Sequence, residues 1–220
     1  MKIIKRPVPV DIEIELNPFK TIMSKTDRKG IITYANDYFM EISEYKEWEL
    51  MGQPHNVIRH PDMPKVVFKL LWDRLFAGKN IHAIVKNLTK TGKYYWVVTD
   101  FKIKYNEFGE IESFYSRRKA IPKKVKNFFE VFYLKLIEIE RKTGISGSQA
   151  YLNGYLEDIG KTYDAFILDL FELNEKQLND YMQAQIKDED LQANDKYYTP
   201  ELAIKESKRR KKTFLKKIFK

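Results

Sequence analysis

Residues 52–64 read GQPHNVIRHPDMP and lie between two segments with regular apolar patterns. The stretch has too many Pro, His and Asn residues for a strand and too little periodicity for a helix. It holds two of the three His residues of the chain, an Arg-His-Pro-Asp run and a helix start at Pro64. Polar loops between regular elements commonly carry binding residues. We therefore expect this loop to form the mouth of a cofactor pocket.

The segments around this loop predict the fold class. Five of them have strand patterns, and they are residues 21–26, 31–35, 81–89, 94–105 and 111–120. The first two are joined by a turn at Gly30, where a positive φ is needed. Within 94–105 the alternation places one set of residues on one face, namely Tyr95, Val97, Thr99, Phe101 and Ile103. The spacing predicts an α+β fold in which a five-stranded antiparallel sheet has short helices packed on one face.

Short helices are predicted between the second and third strands. Asn36 or Asp37 is suited to capping the first of them, and Gly52 stops the last before the polar loop. After the loop, Asp62 or Met63 is predicted to cap a helix that begins near Pro64 and ends at Gly78.

The C-terminal part of the chain predicts a helical extension. Apolar stripes at helical spacing follow Pro122, and the run GISGS at 144–148 interrupts them. We divide the chain into an N-terminal arm at 1–19, a folded domain at 20–121, a helical extension at 122–180, and an acidic linker with a basic tail at 181–220.

Composition and charge exclude several classes of function. Residues 201–220 hold nine Lys and Arg against Glu201 and Glu206, so they account for +7 of the net charge of +9. The folded part is nearly neutral, which gives nucleic-acid binding no support. The chain has no Cys, which excludes disulfides, thiolate metal sites and cysteinyl–flavin photochemistry. No apolar window spans a membrane, and the N-terminus lacks a signal-peptide core, so we expect a cytoplasmic location.

Three stretches carry a family resemblance. ITYANDYFMEISEY, GQPHNVIRHPDMPKVVFKLLWDRL and AIVKNLTKTGKYYWV resemble the PAS module of Aer-type aerotaxis receptors. Such modules bind FAD non-covalently and sense redox state or oxygen supply. The resemblance covers about residues 20–121 and implies a PAS fold, here in a cytoplasmic PAS-only protein that signals to a chemotaxis-type transducer or another signalling protein.

The resemblance also implies site residues. Three positions match residues that the family needs for flavin binding, namely Arg59, His60 and Asp62. Three more match further positions of the family's cofactor site, namely Asn36, Asn87 and Trp72. Phe39 is an additional candidate for lining the flavin ring. One position departs from the family pattern, because Ile81 stands where the family often has a Trp beside the flavin.

Each candidate residue also has a simpler structural interpretation. The planar guanidinium of Arg59 is suited to binding a phosphate or a carbonyl, but it could equally form a surface ion pair. His60 is suited to a ribose hydroxyl or to ordering the loop. Asp62 is equally a helix cap. Asn87, which we place in the middle of the sheet, presents its amide either to a flavin edge or to solvent.

The remaining candidates have structural interpretations too. Asn36 is most simply a helix cap, and Phe39 and Trp72 are individually typical of a core. His55, His60 and Asp62 have a weak resemblance to a metal site.

The sequence leaves a second function open. The sequence lacks the features that would indicate an enzyme, namely paired carboxylates in a pocket-like context, a nucleophile elbow or a phosphate loop. Besides a flavin sensor, the chain fits a cofactor-free PAS interaction module that dimerises or binds a partner. The basic tail, with Phe214, Leu215, Ile218 and Phe219 on one helical face, fits disorder, partner docking or contact with an anionic membrane surface.

Overall fold

The computed structural model describes residues 6–174 and 176–177. The chain divides into two compact units. Of the described residues, the first unit holds 6–63 together with Lys69–Ile121, and the second holds Pro64–Phe68 together with the described residues that follow Ile121. The acidic linker and basic tail predicted for 181–220 lie outside the described residues. Within the described ranges, no helix has the length and apolarity needed to span a bilayer.

The first unit is built on a five-stranded antiparallel sheet, as predicted. Its strands are β1 Ile22–Asp27, β2 Ile32–Ala35, β3 Ala83–Leu88, β4 Tyr94–Tyr105 and β5 Ile111–Ala120. They lie in the order β2-β1-β5-β4-β3. Gly30 has a φ of +78° in the β1–β2 turn, in the left-handed region that favours glycine.

One face of the sheet is buried, and we call it the inner face. Cross-strand partners share a face, so the register defines it. Tyr95, Val97 and Thr99 of β4 lie opposite Asn87, Val85 and Ala83 of β3. This confirms the face predicted from the alternation in β4.

Short helices connect β2 to β3. They are α1 Asp37–Ser43, α2 Glu47–Leu50 and α3 Lys65–Phe76. The polar loop is less irregular than expected, because His55–Ile58 forms a 3-10 turn within it. Asn36 caps α1 as predicted, since its Oδ1 accepts the N–H of Phe39 at 3.1 Å.

The predicted cap of α3 is wrong. The helix begins at Lys65, so neither Asp62 nor Met63 occupies the capping position. Within the second unit, the N–H groups of Lys65 and Val66 donate instead to the carboxylate of Glu140, at 2.9 and 2.7 Å. A carboxylate is favourable there because the first N–H groups of a helix have no intrahelical partner and its N-terminus is electropositive.

The second unit contains the predicted helices of the extension. They are α4 Lys123–Asp158, which is interrupted at Gly144, and α5 Tyr163–Glu172. Gly144 has a φ of +73° and a ψ of −173°, which no helical residue adopts, so the predicted break is confirmed. Aromatic side chains dominate the core of this unit, with Phe132 packing against Tyr155 and Phe166 at ring-centroid distances of 5.0 and 6.2 Å.

Candidate functional site

Residues 52–64, which we call the crossing segment, pair with both edge strands of the sheet. At the β2 edge, the N–H of Ile32 donates to the carbonyl of Gln53 at 2.9 Å, and Pro54 bridges Ile31. At the β3 edge, Arg59 forms an antiparallel bridge with Asn87. Between these ends the segment crosses the inner face. The predicted mouth is thus a strap that also protects two sheet edges from pairing with other chains.

Asn87 lies on an edge strand, which corrects the mid-sheet position expected from the sequence. Its side chain is nevertheless on the inner face, opposite Tyr95, and only 3% exposed. The Asn87 Nδ2 has no hydrogen-bond partner. An unsatisfied buried amide costs about 1–3 kcal/mol, which marks the position as one where a further partner is missing.

The Tyr95 hydroxyl approaches the Asn87 side chain without reaching hydrogen-bond geometry. Burial raises the pKa of Tyr95 far above its ordinary value, so the phenol stays protonated. A neutral donor and acceptor pair therefore lies beside the bridge to Arg59, at the β3 end of the inner face.

A second group of buried polar side chains lies under the crossing segment and centres on Arg118 of β5. Arg118 is 4% exposed, and its Nη2 lies 3.0 Å from Ser24 Oγ, 2.5 Å from Ser116 Oγ and 2.6 Å from His55 Nε2. The guanidinium also lies 5.5 Å from the Phe39 ring centroid. We call these five residues the Arg118 cluster.

His55 is the neutral acceptor of this cluster. Burial, followed by the charge of Arg118, holds the pKa of His55 well below 6.5. Its Nε2 is then free of a proton and accepts from the guanidinium. Burial likewise lowers the pKa of Arg118, to about 10, so the guanidinium remains charged at neutral pH.

Arg59, His60 and Asp62 lie along the β3 edge. Arg59 Nη2 donates to the Met63 carbonyl at 2.9 Å, which folds the end of the segment back on itself. The Asp62 carboxylate pairs with Lys86 of β3 at 3.0 Å.

His60 is buried and accepts the Asp62 N–H on Nδ1 at 3.1 Å. Burial, then the charge of Lys86, lowers its pKa to about 4 despite the nearby Asp62 carboxylate. The imidazole is therefore neutral at pH 7 and orders the loop.

The other predicted site residues are dispersed. Asn36 uses its amide on the backbone, accepting from Met23 and Phe39 and donating to Thr21. Phe39 belongs to the Arg118 cluster. Trp72 instead packs on Phe114, at 5.6 Å between ring centroids.

Trp72 lies at the opposite end of the inner face from Asn87. Its contact residue Phe114 pairs with Ile103, whereas Asn87 pairs with Tyr95 on the same strand. At 3.4 Å per residue, these positions are about 27 Å apart along β4. The structure therefore does not bring Trp72 together with the Asn87 end of the site.

Arg118 is the residue that sequence reasoning missed. Its signal is the alternation in β5, because Phe114 at an inward position places Ser116 and Arg118 inward as well. A charged residue at a core position was the clue. Among the described residues, no group of three His, Asp or Glu side chains is placed to hold a metal ion.

The comparisons with known proteins identify the class. Residues 32–116 match the family described as the PAS fold. Together with the sheet, this match shows that the first unit contains a PAS domain. The aerotaxis receptor of Escherichia coli (strain K12) is 52% identical over 77 residues, which are 35% of this chain and 15% of that receptor. The domain is thus of the Aer type, as predicted.

Two further proteins are similar to this chain at lower identity. The bacterioopsin transcriptional activator of Halobacterium salinarum is 24% identical over 94 residues, which are 43% of this chain and 14% of that protein. The PAS domain of a protein from Colwellia psychrerythraea has a TM-score of 0.44 at 18% identity, over 47% of this chain and 87% of that one. This chain spans about one seventh of the length of the two curated relatives.

Proposed function

We propose that this chain is a cytoplasmic PAS sensor that binds FAD non-covalently and reports redox state or oxygen supply to a chemotaxis-type partner. The identity to the aerotaxis receptor supports a signalling role, without enzymatic chemistry, for the PAS domain. The observation that carries the cofactor proposal is the buried, unpartnered amide of Asn87 on the inner face.

The inner face suits a flavin because its buried polar atoms without a partner include both a donor, the Asn87 Nδ2, and a hydroxyl that can donate or accept, that of Tyr95. The pyrimidine edge of a flavin alternates donors and acceptors, which an amide can match. In this proposal the Asn87 Nδ2 would donate a hydrogen bond to that edge and Phe39 would contact the ring. The Arg59–Asp62 end of the crossing segment would hold the remainder of the cofactor.

When bound, a flavin supplies reversible electron uptake, which changes the charge and hydrogen bonding of its ring. The conformational response to this change comes from residues of the chain. Asn87 is bridged to Arg59, so a change in the amide partner acts directly on the crossing segment. A segment paired with both sheet edges is a suitable element for a two-state response.

The absorption spectrum of the untreated full chain tests the proposal. We expect flavin bands in the visible, release of FAD on heating, and rebinding of FAD by the stripped protein. An Asn87→Ala variant should lose most of the bound flavin because the Nδ2 donor is gone. Asn153→Ala, on the exposed surface of the second unit, is the control and should bind as the unaltered chain does.

A cofactor-free PAS interaction module is the alternative, and one observation favours it. Ile81 is fully buried where the family often has a Trp, so an aliphatic side chain fills that place. A colourless protein that takes up no FAD on reconstitution would decide for this alternative and against the sensor.

A further inference from the structure

The Arg118 cluster contains a buried positive charge with no negative partner. Among the residues that the structure describes, no Asp or Glu forms an ion pair with Arg118, and the only side chain whose charge favours the guanidinium is Tyr95. The phenol of Tyr95 is itself neutral at physiological pH. A buried charge without a partner is strongly unfavourable, so such charges are normally paired.

The hydrogen bonds of Arg118 do not supply that partner. All three are to neutral acceptors, and all three use Nη2. The other terminal nitrogen, Nη1, is buried and has no hydrogen-bond partner. Thr99, the cross-strand partner of Arg118, likewise has a buried hydroxyl without a partner. Two adjacent positions of the inner face thus lack partners.

Arg117, the preceding residue on β5, shows what a satisfied guanidinium looks like here. It lies on the opposite face, where its Nε and Nη2 donate to the two carboxylate oxygens of Asp100 at 3.1 and 2.6 Å. The same strand therefore carries one arginine with a matched carboxylate and one without. The fork geometry of arginine is suited to a planar, delocalised anion.

The geometry points to Arg118 as a specificity-determining residue that binds a negatively charged group of the ligand through Nη1. This inference deepens the proposed function for a flavin, but its chemistry also fits a small free carboxylate. A site of this kind binds the anionic form of a ligand more tightly than the neutral form. For a flavin, two electrons and one proton leave the reduced ring with one negative charge, so Arg118 favours reduction.

Redox titration of the FAD-loaded full chain tests this, with dithionite as the electron donor. Replacing Arg118 by Met should weaken binding of the reduced form relative to the oxidised form at least tenfold. That change is a fall in midpoint potential of about 30 mV for a two-electron couple. Arg118→Lys keeps the positive charge, so its midpoint potential should stay close to that of the unaltered chain. Arg117→Met, on the other face, is the matched control and should leave the potential unaltered.

A second measurement separates this inference from the flavin proposal. The flavin-free chain is heated with and without succinate or inorganic phosphate, and tryptophan fluorescence follows unfolding. If no flavin binds, an anion should still raise the Tm of the unaltered chain and of Arg117→Met. The Tm of Arg118→Met should not rise, and that of Arg118→Lys should rise less than that of the unaltered chain. That outcome supports the anion site and rejects the flavin.

Two results overturn the inference. One is a flavin-loaded protein whose midpoint potential is the same with Arg118 and with Met at that position. The other is a chain that binds no flavin and gains no Tm from either anion. Far-ultraviolet circular dichroism establishes that each variant is folded. If Arg118→Met is not, the anion response of the flavin-free Arg118→Lys variant decides: its gain in Tm should be smaller than that of Arg117→Met because lysine lacks the planar fork of arginine, and an equal gain would overturn the inference.

Discussion

Glu44 offers a sharp test of how the PAS domain is held together. It follows α1 with a φ of +62° and is the one described residue other than glycine in the left-handed region. Its carboxylate accepts from the Thr89 hydroxyl at 2.7 Å, from the Thr91 N–H at 3.1 Å, from the Thr91 hydroxyl, and from Lys93 Nζ at 2.9 Å. One side chain thus joins the end of α1 to the β3–β4 turn.

The magnitude follows from the pKa of Glu44. Burial raises it, but the hydrogen bonds from Thr91, Lys93 and Thr89 outweigh burial and lower it from 4.5 to about 2. At 1.36 kcal/mol for each pH unit, the upper limit is about 3.4 kcal/mol. The side chain is 22% exposed, so solvent screening reduces this. We expect Glu44→Gln to lower the free energy of unfolding by about 1–2 kcal/mol at pH 7.

The pH dependence distinguishes charge from shape. A carboxylate with a lowered folded pKa stabilises the protein above its unfolded pKa, and this stabilisation is lost as the pH falls from 4.5 towards 2. The difference between the unaltered chain and Glu44→Gln should therefore shrink by roughly half or more between pH 7 and pH 3.

Urea unfolding followed by tryptophan fluorescence measures this directly, because Trp48, Trp72 and Trp96 all lie in the first unit. Glu112→Gln is the control, since its pair with Lys104 is on the surface of the same unit and should change little. An equal loss of stability at pH 7 and pH 3 would refute the electrostatic reasoning. So would a Glu44→Gln variant as stable as the unaltered chain at pH 7.

Three further predictions concern stability. Because His55 and His60 stay neutral when folded, the free energy of unfolding should fall as pH drops below 6.5, by about 1.4 kcal/mol per pH unit for each imidazole; a flat urea-denaturation profile between pH 7 and 5 would contradict this. Gly30→Ala should cost about 1–2 kcal/mol from its positive φ plus a contact of the new Cβ with the α3 tryptophan at 3.2 Å. Gly109→Ala, with φ +75° and open space, should cost only the backbone part, so equal Tm losses would disprove the contact. Removing the carboxylate by Glu140→Ala should cost about 0.5–2 kcal/mol by circular dichroism, because two N–H groups of α3 lose their acceptor; an unaltered midpoint would show that solvent replaces it.

Local chemistry made much of the fold predictable. The turn at Gly30 and the break at Gly144 need conformations that glycine adopts at low cost, so the positions of these glycines in the local sequence predicted them. The alternation in β4 gave its inner face because successive strand residues point to opposite sides. The Asn36 cap also follows from local sequence, since an amide three residues before an N–H of the first turn can accept from it.

The tertiary structure alone decided what surrounds the site. Strand order is set by pairing between distant segments, so only the folded sheet shows that Asn87 lies on an edge strand and that the crossing segment bridges to it. Glu140 caps α3 from a distant part of the chain. The alternation in β5 places Arg118 on the inner face, but only the folded sheet shows that Arg118 is buried while Arg117 pairs with Asp100 on the other face. Sequence specifies the side on which each residue lies, but burial and partners are properties of segments brought together by folding.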